Sequence, residues 1–217
     1  MRGFVKGLTL TGVAATLLMV AGCTSPARVV LFNGRDLSGW VSFAPGVDRD
    51  VQTTWSVRDG VIYCSGVPNG YLRTEADYRD YQLHLEWRWV AGASNSGVFV
   101  HLTGEDKLWP ELIECQLWSG NAGDLVLFPG TSITYNGEAR STETTFLDLT
   151  KREPSSENPI GEWNSYDIVC RGDTIRCTVN GVFQSEGTQA SETWGKIGLQ
   201  SEGGPIEFRN IYIEPLG

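Results

Sequence analysis

The chain has 217 residues, 41% of them hydrophobic, and carries a formal net charge of −9 at neutral pH. This length suits one domain with a sizeable core, and the acidic balance argues against a nucleic-acid partner, which would require a basic surface. The sequence contains no phosphate-binding loop, dinucleotide fingerprint or zinc-type Cys/His spacing, so it supports neither a nucleotide cofactor nor structural zinc.

The N-terminal segment has the features of an export signal. Arg2 and Lys6 precede an apolar run over residues 8–20, which is too short to span a bilayer comfortably. The run is followed by Ala21-Gly22-Cys23, which resembles a bacterial lipobox. We therefore expect Cys23 to be lipidated and to anchor the protein to a membrane of the cell envelope, facing the periplasm or on the outer membrane. An ordinary cleaved signal with an incidental cysteine is the alternative. The implied division is a signal peptide over residues 1–22, a lipidated cysteine and spacer over residues 23–28, and one domain over residues 29–217.

The rest of the chain is predicted to be almost entirely β-strand. Ten short runs have strand-like composition and are separated by Gly, Pro, Asn and Asp, which predicts an all-β sandwich. In residues 81–89 every second side chain is apolar and forms a core row, while His84, Glu86 and Arg88 form the outer row. The ten runs are residues 29–32, 55–57, 61–64, 81–90, 97–102, 113–118, 166–171, 175–180, 196–201 and 206–213.

Two neighbouring runs carry the candidate site. In residues 97–102, alternation places Val98, Val100 and Leu102 on one face and Phe99 and His101 on the other.

In residues 112–118, an apolar row alternates with a row that combines a carboxylate, an amide and an indole, namely Glu114, Gln116 and Trp118. An aromatic ring beside hydrogen-bonding groups suits a sugar. If these runs share one sheet with residues 81–89 and 196–202, the outer face of that sheet would form a shallow polar cleft. Its members would be His84, Glu86, Arg88, Phe99, His101, Glu114, Gln116, Trp118, Gln200 and Glu202.

Residues 128–163 form a long polar segment in which residues 146–149 are the clear apolar cluster. A connection of this length in a compact domain is usually functional, so we expect it to wall or cover the cleft. Glu143, Asp148 and Glu153 are then second-rank site candidates.

Four cysteines remain beyond Cys23, and all lie on rows that we expect to be buried. Cys170 and Cys177 flank a hairpin signal, so they could pair as a disulfide in an exported protein. Buried thiols that act as small hydrophobic side chains are the alternative. Apolar surroundings argue against a catalytic thiol.

Segments along almost the whole domain resemble the motifs of one family, the 3-keto-disaccharide hydrolase domain. The opening match is residues 31–40, LFNGRDLSGW. The further matches are YLRT at 71–74, EWR at 86–88, NSG at 95–97, WP at 109–110, IECQ at 113–116, GNAGD at 120–124, GEWN at 161–164, VNG at 179–181, GKIGLQSEG at 195–203 and EFRNI at 207–211.

The resemblance implies a concanavalin A-like jelly roll of two antiparallel sheets, in agreement with the sandwich inferred from periodicity. It also implies secreted or lipid-anchored proteins that act on oxidised glycosides. It does not assign catalytic residues.

Cleavage of the implied substrate, a 3-keto-glycoside, requires particular catalytic groups. A ketone at C3 of a glycoside acidifies the proton on C2, so that a base can form an enolate that expels the group at C1, after which water adds to the unsaturated sugar. This route needs a base near C2, an electrophile at the C3 oxygen and an acid near the leaving oxygen. The candidate base is His101 or Glu114, and the candidate electrophile is Arg88, His84 or a bound divalent metal ion.

The substrate-binding candidates would hold hydroxyl groups or stack on the ring. For Glu86 and Arg88, a structural ion pair on a solvated face is the alternative. These candidates are Glu86, Arg88, Asn95, Trp109, Gln116, Trp118, Gln200 and Glu202.

Three functions fit the sequence: an enzyme that cleaves 3-keto-glycosides, a carbohydrate-binding lipoprotein without turnover, and an envelope scaffold. A carboxylate together with a histidine on the predicted face favours the enzyme. A conventional glycosidase of the laminarinase type would show a Glu-x-Asp-x-x-Glu-like strand, from which Glu114-Cys115-Gln116 departs.

Overall fold

The computed structural model describes residues 27–48 and 53–217, together with residues 1 and 3. The predicted lipidation site Cys23 and the rest of the predicted signal segment lie outside the described residues. Every regular element of the described part is a β-strand, and that part contains no helix long and apolar enough to cross a membrane.

The described strands are numbered in chain order. They are β1 (Val29–Val30), β2 (Trp40–Phe43), β3 (Trp55–Arg58), β4 (Val61–Cys64), β5 (Gly70–Thr74), β6 (Tyr81–Trp89), β7 (Gly97–Leu102), β8 (Ile113–Gln116), β9 (Leu125–Leu127), β10 (Ser132–Tyr135), β11 (Glu138–Ser141), β12 (Leu147–Leu149), β13 (Asn164–Arg171), β14 (Thr174–Val179), β15 (Val182–Thr188), β16 (Lys196–Ser201) and β17 (Ile206–Pro215).

The strands form two sheets that pack face to face. The ten-stranded sheet has the order β11-β10-β15-β14-β13-β6-β17-β4-β3, with β1 also paired to β17. The seven-stranded sheet has the order β12-β9-β8-β7-β16-β5-β2. Neighbouring strands in both sheets are antiparallel, as in the pairs β6–β17 and β7–β8. The predicted sandwich of two antiparallel sheets is therefore confirmed.

The main core lies between the sheets and follows the predicted alternation of β6. Its apolar row, from Tyr81 to Trp89, is at most 3% exposed, while the intervening side chains are only partly buried. The facing row comes from β7 and β8 and includes Val98, Val100 and Cys115. Burial of these rings and branched chains supplies the main stabilising free energy of the sandwich.

A second apolar cluster lies on the other side of the seven-stranded sheet, and we call it the outer cluster. Phe43 and Trp109 pack against its edge. Its presence means that β7 and β8 are buried on both faces, so their polar side chains are also withdrawn from solvent. The buried members of the outer cluster are Tyr71, Phe99, Leu102, Leu112, Val126 and Phe128.

A β-bulge in β7 reverses the predicted direction of His101. Lys196 of β16 pairs with Leu102 and Gly198 pairs with Phe99, so Val100 and His101 together oppose one residue of β16. His101 has φ of 55°. After the bulge Leu102 joins Phe99 in the outer cluster, which is the face that alternation had assigned to His101.

Residues 128–163 are more regular than the sequence suggested, since they contain three strands. β10 and β11 extend the ten-stranded sheet next to β15, and β12 pairs with β9 at the edge of the seven-stranded sheet. The segment therefore passes from one sheet to the other around the side of the sandwich.

The four described cysteines are free and buried. Cys170 lies opposite Ile175, and Cys177 lies opposite Ile168, so the two cysteines are offset across the hairpin rather than facing each other. The structure thus shows the second of the two alternatives, thiols packed as small hydrophobic side chains.

Replacement of Trp87 tests the assignment of the core. Trp87 is fully buried, so Trp87→Ala should lower the free energy of unfolding by about 3–5 kcal/mol in urea titrations. Trp118→Ala makes the same chemical change at a side chain that is 55% exposed and should cost no more than about 0.5 kcal/mol. Comparable losses in the two variants would contradict the assignment.

Candidate active site

A cavity of about 240 Å³ lies on the outer face of the seven-stranded sheet, and we call it the cleft. It receives side chains from β8, β9, β12 and β16 and from the ends of their connections. Eight sequence-derived candidates meet there: Asn95, Trp109, Glu114, Gln116, Trp118, Gln200, Glu202 and the second-rank candidate Asp148. The other lining residues are Val126, Phe128 and Phe146.

Glu114 lies at the floor of the cleft, on β8. Its side chain crosses Gly97 on β7, where a Cβ atom would overlap the Glu114 carboxyl group. Only glycine leaves this space, which explains why β7 begins with Gly97, beside the Glu114 carboxyl group. Glu114 is 3% exposed, and its Oε1 atom has no hydrogen-bond partner among the described residues.

The surroundings of Glu114 favour its protonated form. Burial raises the pKa of Glu114 well above its ordinary value, and the nearby carboxylates of Glu202 and Asp148 raise it further. Burial also raises the pKa of Glu202, which is less enclosed. The cleft thus holds a deeply buried carboxyl group, Glu114, whose protonated form is favoured by burial and by the neighbouring carboxylates.

Three buried oxygen atoms of the cleft have no hydrogen-bond partner among the described residues. They are Asn95 Oδ1, Glu114 Oε1 and Gln200 Oε1. The Gln200 amide is oriented by its Nε2 atom, which donates to Glu202 Oε2 at 3.0 Å. Buried acceptors are normally paired, so this group suits a ligand that brings several hydroxyl donors.

Gln116 has a structural role beside the cleft. Its Oε1 atom accepts hydrogen bonds from the backbone N–H groups of Leu117 and Trp118, at 2.8 and 2.7 Å. These bonds shape the turn after β8 and thereby place the Trp118 indole at the edge of the cleft.

Aromatic rings form the remaining wall. The rings of Trp109 and Phe128 are 6.0 Å apart, and those of Phe128 and Phe146 are 4.9 Å apart, both edge to face. Phe146 and Trp118 are about half exposed, at 50% and 55%. Sugar rings present apolar C–H faces, for which such rings are suitable partners.

His101 does not line the cleft. Its ring packs edge to face with Tyr81 of the main core at 6.4 Å, and Nδ1 donates to the Glu192 carbonyl oxygen at 2.8 Å. Burial lowers the pKa of His101 to about 4, so the imidazole is neutral at pH 7. The prediction that His101 shares a face with Glu114 is wrong because the bulge adds a residue that alternation does not count.

Glu86 and Arg88 also lie away from the cleft, because β6 and β8 belong to different sheets and the condition for one shared polar face is not met. Arg88 Nε donates to Glu207 at 2.7 Å, and Arg209 Nε donates to Glu86 at 2.6 Å. These are ion pairs across the outer face of the ten-stranded sheet, but each of the two residues pairs with β17, whereas the alternative had them pair with each other.

A larger depression, of about 540 Å³, lies on that same face and includes His84 and Glu86. His84 Nδ1 is 2.8 Å from Asp167 Oδ1, and both Glu86 oxygen atoms accept hydrogen bonds, from Arg209 and Asn210. Because these side chains already pair with one another, the smaller cleft with its unpaired acceptors is the better candidate site.

Residues 128–163, which were expected to form a wall or cover of the cleft, supply part of its lining. Phe146 and Asp148 line the cavity, whereas Glu143 and Glu153 are exposed and do not. Asp148 was among the second-rank candidates, and alternation could have added Phe146, which lies two residues before Asp148 and directly before β12. Val126 and Phe128 were missed, since a short apolar strand carries no functional signal.

A bound divalent metal ion is one of the candidate electrophiles expected from the sequence, but the described side chains do not support it. In residues 27–48 and 53–217 there is no group of three or more His, Cys, Asp and Glu residues placed to hold a metal ion.

Comparisons with known proteins agree with this architecture. The model of the 3-keto-alpha-glucoside-1,2-lyase-like domain family matches residues 27–214. A 3-keto-disaccharide hydrolase of Bacteroides thetaiotaomicron is 24% identical over 231 residues, covering 87% of this chain and 78% of the relative.

Solved structures show the same fold. A candidate glycosyl hydrolase of Parabacteroides distasonis is 25% identical with a TM-score of 0.66, covering 88% of this chain and 94% of the other. The β-glucanase of Bacillus licheniformis is 14% identical with a TM-score of 0.58, covering 90% and 100%, a likeness of fold alone. The expected jelly roll is confirmed.

The Glu114→Gln variant tests whether this carboxyl group is neutral in the folded protein. A raised folded-state pKa means that the group stabilises the protein below its unfolded pKa, near 4.5, and loses this contribution as pH rises toward the folded pKa. Gln keeps the neutral shape, so the stability of the variant relative to wild type should increase from roughly pH 5 to pH 8. Urea unfolding across this range measures the difference.

The exposed Glu143→Gln substitution removes a carboxylate from the surface and serves as the control. Its stability should follow the wild-type pH curve. A Glu114→Gln curve parallel to wild type would mean that Glu114 is ionised in the fold.

Proposed function

Because the chain belongs to the 3-keto-alpha-glucoside-1,2-lyase-like family, we propose that it is a carbohydrate-active enzyme that cleaves 3-keto-glycosides by elimination and hydration. The observation that carries the proposal is the buried Glu114 carboxyl group, unpaired at the floor of a cleft that also holds Glu202 and Asp148. The named activity of the Bacteroides relative supports the same substrate class.

The proposed chemistry begins with loss of the C2 proton to a base. The electron pair of the C2–H bond forms an enolate whose charge rests on the C3 oxygen. The enolate then collapses, a C1–C2 double bond forms, and the bond from C1 to the glycosidic oxygen breaks as that oxygen takes a proton. Water finally adds at C1 while C2 regains a proton, so the net reaction is hydrolysis.

Glu114 is assigned to the C3 oxygen. Burial raises the pKa of Glu114 and so favours the protonated carboxyl group, which can donate a hydrogen bond to a carbonyl oxygen, and that bond strengthens as the oxygen becomes an enolate. The Glu114 side chain is almost fully buried, and the low local dielectric constant that burial brings increases the effect of such a donor.

Glu202 is assigned as the base at C2. It lies at the rim, where it is less buried than Glu114, and Gln200 Nε2 fixes its orientation. Its pKa is raised by burial, which moves it toward the operating pH at which a base is most effective. This assignment replaces His101, which faces the core.

The remaining lining groups bind and orient the sugar. Asn95 Oδ1 and Gln200 Oε1 can accept hydrogen bonds from ring hydroxyls, and Trp109 offers an aromatic surface. The protein would act in the cell envelope, held by a lipid on Cys23, where glycosides from outside the cell are accessible.

Turnover of a 3-keto-glucoside tests the roles of the carboxyl groups. Glu202→Gln, which removes the base, should lower the rate by a factor of about 100 or more. Glu114→Leu, which removes the donor to the C3 oxygen, should lower it by a comparable factor. Glu143→Gln, outside the cleft, should retain the wild-type rate. Binding of the glycoside by wild type without turnover would instead favour the non-catalytic carbohydrate-binding function.

Solvent deuterium and the unoxidised parent sugar test the route. In D2O, elimination and hydration should place deuterium at C2 of the product, as seen by NMR or mass spectrometry, whereas direct displacement at C1 should not. The unoxidised glucoside should be inert because its C2 proton is not acidic. Efficient cleavage of that parent would refute the 3-keto assignment.

Membrane partition tests the proposed location. The wild-type protein should fractionate with membranes through an acylated Cys23, and Cys23→Ser should release it to the soluble fraction. A mature N-terminus elsewhere, with no acyl mass by mass spectrometry, would contradict this expectation.

A further inference from the structure

The connection between β7 and β8, residues 103–112, folds back over the seven-stranded sheet. Its Asp106 accepts two hydrogen bonds from the Arg73 guanidinium, at 2.7 and 2.8 Å, and one from the Tyr71 hydroxyl, at 3.0 Å. Arg73 and Tyr71 both lie on β5, two strands away from β7. This two-point ion pair, with both side chains 14% exposed, fixes the connection across the sheet.

The same connection delivers Trp109 to the cleft. Trp109 has φ of 60°, a left-handed backbone conformation that few residues with side chains adopt. Its ring packs edge to face on Phe99 at 6.2 Å and on Phe128 at 6.0 Å. Because the outer cluster fills the space beneath it, the sheet surface beyond Trp109 is covered by protein.

The open part of the face is therefore small and bounded. Its volume of about 240 Å³ falls below the roughly 300–1,000 Å³ of pockets that hold drug-sized ligands. Trp109 stands at the end nearest the folded connection. At the other end, Asn95 and Glu202 form a strand bridge, and the exposed Trp118 follows the turn after β8.

We infer that the cleft is closed at the Trp109 end and open at the Trp118 end, so that it takes one terminal sugar ring with its glycosidic bond directed outward. The inference rests on the proposed function for the class of its ligand. In a pyranose, C4 lies across the ring from C1, so a ring whose C1 faces the opening directs C4 toward Trp109. A substituent on O4 then meets the wall, whereas the group on C1 extends past Trp118 into solvent.

This geometry separates two kinds of specificity. The protein accepts different leaving groups, because few described side chains enclose them. It rejects rings that carry a further sugar at O4, and so it does not act on internal rings of 1,4-linked chains. Arg73 and Asp106 are positioning residues that hold the wall, and Trp109 is the wall itself.

The test compares methyl 3-keto-glucoside with its 4-O-methyl derivative in one enzyme preparation, so that the fraction of folded protein cancels. Wild type should turn over the unsubstituted compound at least about tenfold faster. Trp109→Ala should bring the ratio close to one, and Arg73→Lys, which breaks the two-point pair, should lower it. Trp194→Ala changes an exposed tryptophan outside the cleft and should keep the wild-type ratio.

Calorimetric binding of the two unoxidised parents, methyl glucoside and methyl 4-O-methyl-glucoside, gives the same comparison without turnover. Preference for the unsubstituted sugar supports the closed end even if no 3-keto compound is cleaved, an outcome that refutes only the proposed function. Equal rates on the two 3-keto compounds, equal binding of the two parents, or neither turnover nor binding of any of the four compounds would overturn the inference.

Discussion

The burial of an unpaired carboxyl group against the bare backbone of Gly97 is the constraint on which the site depends. Enclosing such a group costs free energy, which the rest of the fold must offset. The large apolar interface between the two sheets provides that stability, and the missing side chain at position 97 provides the space. The cleft is thus a locally unfavourable arrangement held by a well-packed scaffold, as is common at working sites.

The two sheets satisfy their outward polar groups differently. On the outer face of the ten-stranded sheet, Glu86 and Arg88 form ion pairs with residues of the neighbouring strand β17, so their charges are already paired within the protein. On the seven-stranded sheet, Glu114 and Gln200 keep oxygen atoms without partners among the described residues. Because they line the cleft, these oxygen atoms are available to a ligand, and this difference distinguishes the outer face of the seven-stranded sheet from that of the ten-stranded sheet.

The sequence was informative wherever local alternation decided the structure. The core row of β6 and the shared face of Glu114 and Gln116 follow from the period of two along a strand. The placement of His101 could not be predicted because one extra residue in the β-bulge inverts the alternation of side chains. No residue type in this stretch indicates that a bulge is present. The separation of β6 from β8 depends on pairing between distant segments, which a single sequence does not specify.

The position of β17 has a consequence for how the molecule is assembled. β17 lies between β6 and β4, so residues 206–215 hydrogen-bond with residues more than a hundred positions earlier in the chain. Until that segment arrives, β4 and β6 each present an unpaired edge, and the entropy of closing such long loops makes the step slow. A chain whose strand edges stay open in this way passes through a period in which those edges are prone to aggregate.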